Sequence, residues 1–206
     1  MRARLILATR SEGKLRELGP LFADAGIRAL TLNDLGLAPS ADEDLLEIFE
    51  TFEENALAKA RHFADMERAR GLAVVADDSG LEVTALGGAP GVRTKRFSGR
   101  TDLVGQALDD ANNATLVRAL AGAADRRARY VCVAALVDAR GERAFRGEAP
   151  GRILPAPRGS GGFGYDPYFL SDELGVTFAE IDRSAKERVS HRGRAFASLI
   201  AALRSG

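Results

Sequence analysis

Four short segments of the 206-residue sequence carry residue types that could do chemistry together. The first is Thr9-Arg10-Ser11-Glu12-Gly13-Lys14, which follows an apolar run and opens a helical pattern. A strand-to-helix junction presents backbone N–H groups and the positive end of the helix dipole, which suits phosphate. Lys14 in the first turn runs against the dipole's preference, and an anionic partner would relieve it. The P-loop pattern is absent, and an ordinary polar loop has the same composition. The second segment, Ala76-Asp77-Asp78-Ser79-Gly80, sets two carboxylates at the end of a buried strand. Successive strand side chains point to opposite faces, so one carboxylate should face a cleft while the other bonds to backbone groups. Carboxylates with open water positions suit Mg²⁺, and Glu47 in the acidic stretch upstream is a candidate second ligand. A turn using Asp and Ser for backbone hydrogen bonds is the alternative.

The third segment, Gly159-Ser160-Gly161-Gly162-Phe163-Gly164, is formally Gly-x-Gly-x-x-Gly. A dinucleotide fingerprint needs a strand before it and a helix after it. Here Pro155 and Pro157 precede and Tyr165-Asp166-Pro167 follow, so that reading is rejected. A glycine-rich loop bearing Phe163, Tyr165 and Asp166 can instead approach a flat ligand, stack on it and accept its N–H donors. The fourth segment is Lys186-Glu187-Arg188-Val189-Ser190-His191-Arg192-Gly193. On one continuous helix, Lys186, Ser190 and Gly193 would lie near one face with His191 and Arg192 adjoining. Such a cluster could hold a base carbonyl or phosphates, although a charge run is also what a solvated helix face looks like. Lysine is rare in this chain, at Lys14, Lys59, Lys95 and Lys186, and two of the four, Lys14 and Lys186, fall inside these segments. Carboxylates for a metal, lysines for phosphates and an aromatic-glycine loop for a base together describe a nucleotide site.

The elements that must position these groups are legible in outline. Ala3 to Thr9 reads as a buried strand, followed by a helix carrying Leu15, Leu18, Leu21, Phe22 and Ala25, with a kink at Pro20 and a stop at Gly26. Ile27 to Leu32 can be a second strand, and the acidic stretch 41–47 a loop or irregular edge. Thr51-Phe52-Glu53-Glu54 forms a capping box that opens a helix to about Arg70. Leu72 to Ala76 is a strand, roughly Asp102 to Leu120 a helix, and Arg129–Val137 with Arg143–Gly147 a hairpin. A last helix is expected from about Ala185 to Leu203. The pattern is α/β with a mixed sheet.

Composition narrows the classes further. Lys+Arg and Asp+Glu both number 29, so no basic excess supports binding to a nucleic acid polymer. The single cysteine, Cys132, excludes an internal disulfide framework, and its apolar strand setting makes it a core thiol. No apolar run approaches the roughly 20 residues that span a bilayer, and the start is no signal peptide, so the expectation is a soluble cytoplasmic protein with no membrane partner. At this length a monomer buries about 70% of its surface, enough for a core without metal or disulfide staples.

With these segments in hand, the chain resembles the inosine triphosphate pyrophosphatase family, the house-cleaning dITP/XTP pyrophosphatases of the RdgB type. The resemblance is carried by Leu7-Ala8-Thr9, Gly13-Lys14-Leu15-Arg16-Glu17-Leu18, Thr51 to Ala60, Ala76 to Leu81, Gly88-Ala89-Pro90-Gly91-Val92, Gly162 to Pro167 and Ser190-His191-Arg192-Gly193, in family order. It implies an ITPase-like α/β fold, a long mixed β-sheet with flanking helices forming two lobes around a central cleft, in one pyrophosphatase domain over residues 1–206. It further implies a homodimer, one or more Mg²⁺ ions per subunit, and hydrolysis of dITP, ITP and XTP to the monophosphate and pyrophosphate. Carried over by position, Asp78 is the catalytic carboxylate and a metal ligand, with Glu47 its metal partner. Thr9, Arg10, Ser11, Glu12, Gly13, Lys14 and Lys59 would hold phosphates, with Ser79 beside them and Arg96 a further cation. Phe163, Gly164, Tyr165, Asp166, Lys186, His191 and Arg192 would surround the base. Two positions depart from the family: Ser11 stands where Asn is usual, and the glycine before Thr51-Phe52 is missing. A pyrophosphatase for other modified bases and a nucleotide-binding sensor without turnover are the alternatives.

Overall fold

Leu5, Ile6 and Leu7 are all buried, as an apolar run must be when both faces of a strand are covered. They form β1 (Arg4–Leu7) in a computed structural model that describes residues 4–205, the side chain of Asp44 excepted. The expected strand start at Ala3 lies outside the described residues. Ser11 caps α1 (Glu12–Asp24) by accepting from the Lys14 backbone N–H, and the helix buries Leu18 and Phe22 one turn apart. It continues through Pro20 as one helix. β2 (Arg28–Thr31) returns parallel to β1, with Leu5 opposite Ala29. Residues 41–47, expected irregular, wind as a 3-10 segment.

Thr51 caps α2 (Phe52–Ala64) through the Glu54 N–H, while the Glu54 carboxylate accepts from the Thr51 hydroxyl rather than from its backbone. The helix ends well before Arg70; a separate short 3-10 turn covers Glu67–Ala69. β3 (Ala73–Val83) then runs parallel to β1 with Leu7 opposite Val75. This corrects the sequence expectation in the place that matters most. Asp77 and Asp78 stand in the middle of an 11-residue strand, not at a strand end. Asp-Asp-Ser-Gly has turn composition, but Leu81 and Val83 beyond it are fully buried, and that packing overrides local preference.

α3 (Gly105–Ala119), β4 (Arg127–Asp138) and β5 (Gly141–Ile153) follow, the last two longer than the expected hairpin arms. β6 (Phe169–Ser171), not anticipated, pairs antiparallel to β5. The final helix is two: α4 (Arg183–Val189) and α5 (His191–Arg204), separated by Ser190 in an extended conformation. The sheet order is β2-β1-β3-β4-β5-β6, mixed in direction. Among the described residues no helix is long and apolar enough to cross a membrane.

The chain divides into two compact units. The first holds the residues up to Asp78, Cys132–Gly147 and the chain from Arg192 onward. Its core is mainly aliphatic, gathering Leu5, Leu7, Leu18, Leu136 and Leu199 around an edge-on Phe22–Phe196 pair and the buried Cys132. The second holds Ser79–Val131 and Glu148–His191. There Leu81, Val83, Leu116 and Leu120 pack with an aromatic group of Tyr130, Phe169 and Phe178.

Candidate active site

The first unit concentrates charge on the centre of β3. Asp77 and Asp78, being adjacent on a strand, send their side chains to opposite faces. Asp77 is fully buried, and its Oδ2 takes the Lys14 ammonium at 2.9 Å and Arg192 Nε at 3.4 Å. The Asp77 backbone carbonyl accepts from two ammonium groups, Lys14 at 3.2 Å and Lys59 at 2.6 Å. Asp77 Oδ1 has no hydrogen-bond partner among the described residues. Arg192 also bonds to Glu17, so a buried chain of charges links α1, β3 and α5. The carboxylate that was expected to bond to backbone groups is therefore engaged by side-chain cations. Burial pushes the Asp77 carboxyl up, but Lys14, Arg192 and Lys59 outweigh it and hold the group well below the usual carboxylate range.

Asp78 differs from its neighbour in every respect but covalent position. Its Oδ2 accepts from Asn55 Nδ2 at 3.0 Å, and its Oδ1 lies 3.5 Å from Lys59. Burial raises its proton affinity above the ordinary value, and Lys59 and Lys14 only partly offset this. Glu47, at the end of the 3-10 segment and half-exposed, accepts from Lys59 at 2.8 Å. Lys59 is thus shared between Glu47, Asp78 and the Asp77 carbonyl; burial pulls its pKa down, but Asp78, Glu47 and Asp77 together raise it. Lys14, Lys59 and Arg192 thus meet Glu17, Glu47, Asp77 and Asp78 in one cluster.

Of the Thr9–Lys14 segment, Lys14 is the residue whose side chain reaches β3. Thr9 Oγ1 accepts from the Ser11 N–H and Ser11 caps α1, so both hydroxyls shape the junction. Glu12 is exposed opposite Arg16, and Gly13 lies in the first turn of α1. Arg10, expected at the phosphates, here forks its guanidinium onto Glu43 at 2.7 and 3.0 Å and donates to the Leu37 and Ala38 carbonyls, tying down residues 37–43. Ser79, partly exposed, follows Asp78 on β3.

The second unit holds a different arrangement. Lys186 and Asp166 form a buried pair at 2.6 Å, and Asp166 Oδ2 also accepts from the Phe163 N–H at 2.9 Å. The Lys186 ammonium stands 4.9 Å from the Phe163 ring centroid and 5.6 Å from that of Phe178. His191 stacks on Tyr130 with ring centroids 4.6 Å apart. Gly162 has φ +72°, and a Cβ there would come within 2.2 Å of Asp166 Oδ2, so the turn is open only to glycine. Gly164 is clamped from α3: Asp109 accepts its N–H and Asn113 donates to its carbonyl.

Two expectations for this cluster fail. Tyr165 is no stacking platform: its ring is buried in the core and its hydroxyl donates to the Thr94 carbonyl at 2.8 Å. The single helix expected through this stretch breaks at Ser190, so Lys186 and His191 join the Asp166 cluster while Arg192 is seated on Asp77 and Glu17. Sequence reasoning also missed Asn55, Asp109, Asn113 and Tyr130. Buried asparagines on otherwise apolar helix faces were the available signal for two of them.

Comparison with known proteins follows the same lines. Residues 5–202 match the Ham1 family. A dITP/XTP pyrophosphatase of Burkholderia pseudomallei is 49% identical over 205 residues, covering 98% of this chain and 94% of that protein. Among solved structures, a HAM1 protein from Coxiella burnetii has a TM-score of 0.83 at 34% identity, covering 99% of this chain and 100% of that one. The Staphylococcus aureus Ham1 protein has a TM-score of 0.81 at 33% identity, covering 98% of each.

Proposed function

Because the chain belongs to the Ham1 family, we propose that it is a pyrophosphatase of non-standard purine nucleoside triphosphates, hydrolysing dITP, ITP and XTP and so removing them from the nucleotide pool. The observation that carries this reading is the charge cluster on β3, where Lys14 and Lys59 converge on Asp77 and Asp78. A triphosphate needs cations that are already held in place, and a hydrolase needs a carboxylate beside them that can handle a proton. Water attacks the α-phosphorus, the bond to the α,β-bridging oxygen breaks, and monophosphate and pyrophosphate leave. Asp78, beside Lys59 on β3, orients the water and accepts its proton. Lys14 and Lys59 neutralise charge gathering on the phosphates.

Asp78 and Glu47, both drawn to the Lys59 ammonium, would hold Mg²⁺, which usually needs only one or two carboxylates, with water and phosphate oxygens completing its shell. When bound, the ion would supply Lewis-acid polarisation of the phosphoryl oxygens.

For the base, Lys186 and the Phe163 ring offer a cationic donor beside an aromatic face. Hypoxanthine and xanthine carry an O6 acceptor where adenine has an amino donor. A buried donor facing that amino group would be left unpaired, which penalises ATP. The reading includes one pyrophosphatase domain, a homodimer and a cytoplasmic location, supported by the family resemblance and composition.

The test is to measure pyrophosphate and monophosphate from dITP, ITP and XTP, with ATP, GTP and dTTP alongside, with and without Mg²⁺, and with Asp78→Asn as control. Metal-dependent, one-to-one products from the inosine and xanthosine substrates are expected. Orthophosphate as first product would overturn attack at the α-phosphorus, turnover confined to other bases would move the specificity, and binding without products would mean a sensor.

A further inference from the structure

We propose that Asn55 is a positioning residue for the reaction: it fixes the Asp78 carboxylate and the Glu47-bearing segment in one arrangement. It sits on the buried face of α2, one turn after the cap at Thr51, and is 1% exposed. A buried amide is costly unless its donors and acceptor are used. Those of Asn55 are spent on two partners. Nδ2 donates to Asp78 Oδ2 at 3.0 Å and to the Phe49 carbonyl at 3.2 Å, and Oδ1 accepts from the Phe49 N–H at 3.0 Å. Phe49 lies two residues beyond Glu47. One side chain therefore holds the carboxylate on β3 and the main chain that carries its partner carboxylate.

Lys59 stands one turn further along the same helix face, and its ammonium also meets Asp78, at 3.5 Å, and reaches Glu47 itself at 2.8 Å. α2 thus braces the pair at two points. The two braces are not equivalent. Lys59 brings a charge that a divalent cation at these carboxylates must contend with, whereas the amide of Asn55 orients Asp78 without neutralising it. A carboxylate at position 55 would lose both donors and place like charge against Asp78.

The inference rests on the reading of Asp78 and Glu47 as the acting pair. It is tested in the full chain with Asn55→Ala, Asn55→Ser and Asn55→Asp. Hydrolysis is measured across Mg²⁺ concentrations, Mn²⁺ binding to the substrate-free protein by electron paramagnetic resonance, and amide exchange at Phe49. For Asn55→Ala, kcat should fall and the half-saturating Mg²⁺ concentration rise, each about 10–100-fold, with Mn²⁺ affinity weakened in parallel. The nucleotide KM at saturating Mg²⁺ should stay near wild type, and the Phe49 amide should lose its protection. Asn55→Asp keeps an acceptor for the Phe49 N–H, so it should restore that protection without restoring kcat. Wild-type kcat and Mn²⁺ affinity in Asn55→Ala would overturn the proposal, as would a loss of thermal stability with both unchanged. Should Asn55→Ala fail to fold, Asn55→Ser carries the same readouts. A wild-type protein that makes no pyrophosphate would break the reaction assignment instead, leaving Asn55 to be decided by Mn²⁺ binding and Phe49 exchange.

Discussion

The first unit's polar cluster and the second unit's are built from the same kinds of residue in different arrangements. Around β3, lysines reach inward from α1 and α2 onto strand residues, and one buried carboxylate, Asp77, takes both Lys14 and Arg192. Around Asp166 the carboxylate takes Lys186 and also fastens a glycine-rich loop, and aromatic rings supply the walls. Cations held on regular elements suit a ligand that brings phosphate. A buried ion pair among rings suits a flat, nearly neutral ligand whose donors and acceptors must be sorted.

Substitutions can break that comparison or sharpen it. The largest effect is expected at Asp78. Asp78→Asn keeps the shape and the Asn55 contact but cannot accept a proton, so kcat should fall on the order of 10³-fold, read as pyrophosphate release. Its neighbour should behave as a structural residue first. Asp77→Asn leaves Lys14 and Arg192 with a neutral partner in a buried site and should cost about 3–5 kcal/mol in denaturant unfolding. The pH dependence has a definite sign. The Asp77 carboxyl is held below its unfolded value of about 3.9. Its contribution is therefore fully present above that pH and lost as the pH falls through the lower folded value. The stability gap between wild type and Asp77→Asn should be flat near neutrality and narrow in strong acid.

In the second unit the expected effect is on choice. Lys186→Met removes a charged donor and should lower kcat/KM for ITP about 10–100-fold, with a smaller loss for ATP, so the ratio of the two narrows. An equal loss for both would show that Lys186 holds Asp166 and the loop without reading the base. Gly162→Ala is milder. Forcing a side chain onto φ +72° and against Asp166 should cost about 1–2 kcal/mol of stability and raise the ITP KM more than it lowers kcat. The smallest effect is at Cys132. Its thiol is buried, and burial together with Asp77, whose Oδ2 is 3.7 Å from Sγ, pushes its pKa up. A thiol-specific reagent should leave it unlabelled until the chain is unfolded.

Much of this was legible in the sequence, for identifiable reasons. β1, α1, α2 and α3 announce themselves through apolar periodicity and, for α2, the Thr51 cap, which are local signals. Lys14, Lys59 and Asp78 stood out as rare lysines and a paired carboxylate, and the structure gathers them on β3. What escaped depends on contacts distant in sequence. Asp77-Asp78 looked like a strand end because composition reports turn chemistry, while only the buried Leu81 and Val83 say the strand goes on. The Ser190 break is invisible to periodicity, which runs smoothly from Lys186 to Leu203, so the seat of Arg192 on Asp77 and Glu17 could not be read there. Nothing near Arg10 in sequence shows that it will meet Glu43.

The placement of Asp77 and Asp78 inside a long strand also restricts how this gene can change. Strand side chains alternate, so inserting or deleting a single codon between β3's start at Ala73 and Asp77 would exchange the faces of the two carboxylates. An insertion would move Asp77 into the register Asp78 now holds, and a deletion would seal Asp78 among Lys14 and Arg192. Length cannot drift there, and related sequences should keep this strand ungapped while their loops vary.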